Sequence, residues 1–143
     1  MLLSFDKKKT TFFCSVQLEA NVYNAVFGLR EAYGATLNME DQDKCINYCR
    51  VFTELGETML VKIVNHEAEG PHFAMPIYDC VLMCCGHPDY ELPDLTFAMW
   101  YRISEELYQR DQEALTARFR PHIVQLINAL CRLIGKLIIQ EGK

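Results

Sequence analysis

Positive charge is in short supply: 14 Lys plus Arg stand against 19 Asp plus Glu in 143 residues, a formal net charge of −5. A nucleic-acid backbone or an anionic membrane wants a basic face, so neither is expected as the main partner. No uncharged apolar run approaches the roughly 20 residues that cross a bilayer. Residues 1–17 also lack the order of a secretory signal, in which charge precedes a long apolar stretch and a small-residue cleavage site. The triplet Lys7-Lys8-Lys9 is too short for a nuclear-localisation run and reads as a solvated loop. There is no phosphate-cradling Gly-rich loop, no G-x-S-x-G and no H-E-x-x-H, which removes the sequence grounds for nucleotide binding, serine hydrolysis or zinc proteolysis. These absences fit a soluble intracellular protein with no catalytic role.

What is present is enough to build a core. Half the residues are apolar and 23% are charged, which excludes intrinsic disorder. The seven cysteines, Cys14, Cys45, Cys49, Cys80, Cys84, Cys85 and Cys131, are odd in number and show no C-x-x-C spacing. Cys45/Cys49 and Cys80/Cys84 are four apart, one helix face each, and reduced cysteine behaves as a small hydrophobe. The sharper alternative is a metal site from Cys80, Cys84, Cys85 and His87. It lacks a second ligand pair at a structural-zinc spacing, so no metal and no cofactor is expected. A Cys nucleophile such as Cys49 or Cys84 would need a His partner, and of His66, His72, His87 and His122 three lie in or beside turns.

Helical periodicity accounts for most of the chain, and no stretch alternates with period two. Five helices are expected, at about 18–37, 41–64, 74–85, 92–110 and 112–138. The first has Val22, Ala25, Val26, Leu29, Ala32 and Tyr33 on one stripe, weakened by Gly28 and Gly34. A turn with Asn38 and Glu40 follows, and Asp41 and Asp43 sit well against the dipole of the second helix. That helix buries Cys45, Cys49, Phe52, Leu55, Met59 and Ile63. Residues 65–72 are a polar loop. The third helix, entered near Pro76, is apolar on most sides and stops at Gly86-His87-Pro88-Asp89. The fourth carries Leu92, Leu95, Met99, Ile103 and Leu107, widened by Phe97, Trp100, Tyr101 and Tyr108, which predicts contacts on two flanks. The fifth carries Leu115, Phe119, Ile123, Leu126, Ile127, Leu130 and Ile134, with Pro121 expected to kink it or split off a first segment.

The order short helix, tight turn, longer helix, loop occurs twice and a half. The second helices begin about 48 residues apart, near the 40–47-residue period of HEAT-type arrays. The expected fold is therefore all-α: a HEAT-repeat α-solenoid segment of about five antiparallel helices in two and a half stacked pairs, over residues 18–140, with 1–17 a separate N-terminal segment.

Three runs carry a resemblance: DQDKCINYCRVFTELGETMLVKIV at 41–64, CGHPDYE at 85–91 and FAMWYRISEELY at 97–108, continuing more loosely from Phe119 to Cys131. The chain resembles nuclear import receptors of the importin-β (karyopherin-β) family that carry Ser/Arg-rich splicing factors. The resemblance covers most of the chain from about Leu18 and implies a non-enzymatic piece of a longer superhelix that shuttles between cytoplasm and nucleus. It also implies that the second helix of each repeat lines a concave surface for protein cargo and the GTPase Ran. Mapped here, that surface offers Arg50, Glu54, Glu57, Asp94, Arg102 and Glu105, and its carboxylates suit an Arg-rich partner. The Arg-rich helix with which such receptors grip phosphorylated Ser/Arg segments is absent, and their main Ran contacts belong to repeats outside this chain. A HEAT-type scaffold or regulator without a transport role is the alternative. Exposed repeat ends are expected to self-associate.

Overall fold

Residues 2–27 contain neither glycine nor proline, and they form one helix, α1 (Leu2–Phe27). The computed structural model describes residues 2–38 and 41–142, with side chains for residue 9 and from 15 to 37 and 41 to 142. Helix α1 runs through the expected boundary at 17/18, and Lys7, Lys8 and Lys9 lie on it and not in a loop. The chain steps out of α1 at Gly28-Leu29 and resumes as α2 (Arg30–Asn38), with the Tyr33 amide still bonded to the Leu29 carbonyl at 2.9 Å. That step shifts the buried stripe. Tyr23, Tyr33 and Thr36 face the core, while Val22, Ala25 and Ala32, expected inside, are exposed. Glu40 lies outside the described residues.

Helix α3 (Gln42–Val64) opens on Asp41, whose carboxylate accepts from the Lys44 amide at 3.2 Å and pairs with the Lys44 ammonium. The cap satisfies one orphan donor of the first turn. Its inward face, led by Cys45, Cys49, Phe52, Met59 and Ile63, follows the predicted stripe, except that Leu55 is only partly buried. Helix α4 (Ile77–Cys85) follows a loop in which Gly70 takes φ +86, a conformation glycine adopts freely. Seven of its nine residues are buried, as expected of a short helix wrapped by neighbours. Helix α5 (Glu91–Arg110) starts where the Asp89 carboxylate accepts from the Glu91 amide at 3.1 Å. It ends on Asp111 in the left-handed region, φ 47, which Asp tolerates better than most residues.

Helix α6 (Glu113–Glu141) is a single element of 29 residues, with Pro121 inside it. The expected split at Pro121 does not occur. By length and composition α6 is apolar enough to cross a membrane, although few of its residues are buried in the fold.

Contacts define the architecture. Cys49 meets Leu92 and Glu57 meets Arg102, pairs 43 and 45 residues apart, so α3 and α5 run parallel side by side. Asp79 meets His122 and Tyr78 meets Phe119, which sets α4 and α6 parallel in the same way. Tyr78 reaches back to the Gly56 carbonyl, and Cys85 reaches Thr96, so α4 is antiparallel to both α3 and α5. This is a stacked array of helix pairs. Its contact register of 43–45 residues falls within the HEAT period, although the helix starts at Gln42 and Glu91 are 49 apart. One core runs through all of it, with Phe52, Tyr78, Met99, Ile103 and Phe119 fully inside. Burying each such side chain is worth about 1.5–3 kcal/mol.

Candidate functional site

The surface shared by α3 and α5 starts from a close approach of the two helices. A Cβ at Gly56 would lie 2.8 Å from Met99 Sδ and 3.3 Å from the Tyr78 ring. Glycine at this point lets α5 settle against α3. Tyr78, itself buried, donates its hydroxyl to the Gly56 carbonyl at 3.1 Å, and burial pushes its pKa above the phenol range. One turn away, Arg102 Nη1 meets Glu57 Oε2 at 3.1 Å across the helix pair.

Five of the six sequence-predicted residues lie on this surface. Arg50, Glu54 and Glu57 are spaced four and three apart and so share a side of α3; Arg50 and Glu54 are exposed and Glu57 is partly covered by Arg102. On α5, Arg102 and Glu105 are exposed and three apart. The Tyr101 hydroxyl hydrogen-bonds Glu105, and that bond raises the Tyr101 pKa. Asp94 departs from the group. It lines a separate apolar groove of about 470 Å³ between α5 and α6, with Phe97, Ile134 and Leu137.

Sequence periodicity placed the α5 aromatics inside, and three of them are out. Trp100 is buried, its indole N–H donating to Cys85 Sγ at 3.3 Å. Phe97, Tyr101 and Tyr108 are exposed, as is Tyr90 just before the helix. The four recur at steps of seven, four and seven, hence on one side of α5. The second flank predicted for α5 therefore carries an aromatic surface facing solvent. The signal for it in the sequence was the excess of aromatics over what one core-facing stripe can hold.

The cysteines and imidazoles that could serve a metal site or a nucleophile are held in the core or in turns. Cys80, Cys84 and Cys85 are fully buried, with Cys84 Sγ on the Cys80 carbonyl and Cys85 Sγ between Thr96 and Trp100. His87 Nδ1 accepts from the Asp89 amide at 3.1 Å. Among the described residues no group of three or more His, Cys, Asp or Glu side chains is arranged to hold a metal. Burial pushes the Cys80 thiol up to about 11. Hydrogen bonding to Cys84 holds Cys49 below the usual thiol range, yet both sulfurs are enclosed, and Cys49 Sγ reaches the Leu92 carbonyl at 3.5 Å. The imidazoles serve the fold: His72 accepts from the Ala74 amide, and His122 meets Asp79 at 3.2 Å.

With this geometry in place, the comparison with known families is specific. Residues 40–132, which take in all of α3, α4 and α5 and most of α6, match the family model described as the Transportin-3/Importin-13 second TPR domain.

Proposed function

The chain belongs to the transportin-3/importin-13 family, whose members are nucleocytoplasmic transport receptors, and from that premise we propose that it serves as a helical-repeat segment of a nuclear import receptor. In this reading it is non-enzymatic, shuttles between cytoplasm and nucleus, and takes part in binding Ser/Arg-rich protein cargo, with Ran contacted chiefly by repeats outside this chain. The family match over residues 40–132 carries the proposal. The α3–α5 surface supports it, because Glu54 and Glu105 present exposed carboxylates with which guanidinium groups can pair. Exposed tyrosines on the neighbouring side of α5 add aromatic faces on which the same groups stack.

The test is a binding assay of the chain, and of the longest protein that contains it, against phosphorylated and unphosphorylated Ser/Arg-rich peptides and GTP-loaded Ran. Binding of the peptide is expected to weaken with salt and to lose on-rate in a Glu54→Lys, Glu105→Lys variant. If the longest protein binds neither peptide nor Ran, the reading fails and a scaffold without a transport role takes its place.

A further inference from the structure

A second surface, on the other side of the array from the α3–α5 face, has a chemistry of its own. Helices α4 and α6 touch closely at one end, where Tyr78 packs on Phe119 with ring centroids 5.5 Å apart and Asp79 meets His122. They leave an open groove of about 650 Å³ toward the other end, where α4 stops at Cys85 and α6 continues. Its apolar floor is Leu82, Met83 and Ala129. Its α6 wall presents Gln125, Asn128 and Arg132, all exposed and spaced three and four apart. Among the described residues none of these three side chains has a hydrogen bond or ion pair.

The groove is polar in the literal sense. The Asp79 carboxylate, more than half exposed, stands at the end beside His122. Arg132 stands at the other end, with His87, whose Nδ1 is already occupied by the Asp89 amide, leaving Nε2–H as a donor. Ten residues of helix separate His122 from Arg132, roughly 15 Å at 1.5 Å per residue. An extended peptide covers about 13 Å between residues i and i+4, and its residues i, i+2 and i+4 face the same way. Two free side-chain amides midway offer donors and acceptors to the peptide main chain. The single cation is a poor match for a nucleic-acid backbone.

We propose that the groove between α4 and α6 binds an extended peptide of the pattern basic–x–apolar–x–acidic, running in either chain direction. The basic side chain pairs with Asp79, the apolar one lies on Leu82, Met83 and Ala129, and the acidic one pairs with Arg132, while Gln125 and Asn128 hold the backbone. The occupant follows from the opposite charges at the two ends and the distance between them. This surface and ligand class are independent of the Arg-rich cargo reading.

The experiment is fluorescence anisotropy of the full chain with labelled Lys-Ala-Leu-Ala-Glu and its reversed sequence, both terminally blocked, against a scrambled Ala-Lys-Glu-Ala-Leu. One of the two ordered peptides is expected to bind at least about tenfold more tightly than the scramble, the loss expected for one charge-assisted bond. Arg132→Glu is expected to remove that preference and to create one for the peptide with Lys in place of Glu. Gln125→Ala with Asn128→Ala is expected to weaken binding of the ordered peptide, and because all three positions are exposed these variants keep the melting temperature of the parent. Equal binding of ordered and scrambled peptides, indifference to Arg132→Glu, or a self-associated chain that the peptide dissociates would overturn the proposal, the last by assigning the groove to a second copy.

Discussion

The two halves of α6 follow the same hydrophobic arithmetic and meet different surroundings. In the first half Leu115 and Phe119 are 4% and 0% exposed, and Phe119 packs on Tyr78 of α4. In the second half Ile134 and Leu137 are each 57% exposed and Ile138 is 66% exposed. Both halves repeat apolar residues at steps of three and four. An amphipathic pattern therefore states which face of a helix would be buried and leaves open whether a neighbour covers it. The same lesson holds across α5, where Met99 and Ile103 face α3 and the core while Tyr101 and Tyr108 face solvent.

The sharpest way to break this comparison is to truncate one side chain in each half. Phe119→Ala removes a fully buried ring that touches Tyr78 at 5.5 Å between centroids and lies near His122. It is expected to cost about 3–5 kcal/mol in urea unfolding, the range for large-to-small changes in a packed core. Leu137→Ala, in the exposed half, is expected to stay within about 0.5 kcal/mol. Equal losses would mean that the second half of α6 is covered in solution, and a protein-concentration dependence of the Leu137→Ala effect would identify a second copy as the cover.

How much of this was legible in the sequence depends on whether a signal was local. The α3 stripe of Cys45, Cys49, Phe52 and Met59 was read correctly because it is long, regular and flanked by a clear cap at Asp41. The character of α4, apolar on most sides, correctly announced a wrapped helix. The α1–α2 stripe was misplaced because Gly28-Leu29 resets the helical phase, so residues on either side cannot be counted on one wheel. Pro121 was expected to kink α6 or split off a first segment, and the helix is not split. The proline lies in the helix's third turn, and one missing amide there is tolerated while Phe119 and Ile123 on either side pack inward. At the candidate site, the step from Arg102 back to Glu57 spans 45 residues and depends on the stacking register, which no local pattern encodes. Asp94 looked equivalent to Glu105 by type and helix, and only the position of α6 sends it into a different groove.

A smaller effect sharpens the account of the well-packed region. Tyr78→Phe removes one hydroxyl and keeps the ring against Trp100, Phe119 and His122. The lost bond to the Gly56 carbonyl is expected to cost about 1 kcal/mol, the net value of a typical buried hydrogen bond. A loss of about 3 kcal/mol or more would show that the hydroxyl fixes the spacing of α3, α4 and α5 at Gly56, and that the ring alone does not hold the three helices in register.

The smallest effect on stability falls on the Glu57–Arg102 pair, and it separates a packing role from a binding role. The two side chains are 28% and 46% exposed at 3.1 Å, so solvent screens their attraction. A double-mutant cycle with Glu57→Gln and Arg102→Ala is expected to give a coupling below about 0.5 kcal/mol. Stability is then set by the apolar register beneath, through Cys49, Met99 and Ile103, and the surface charges are free to serve a partner. On that basis Arg102→Ala, which removes a cation and releases the Glu57 carboxylate, is expected to raise the on-rate of an Arg-rich peptide while the melting temperature barely moves. An on-rate that falls or a coupling of several kcal/mol would tie this pair to the packing of α3 on α5 and take it out of the binding surface.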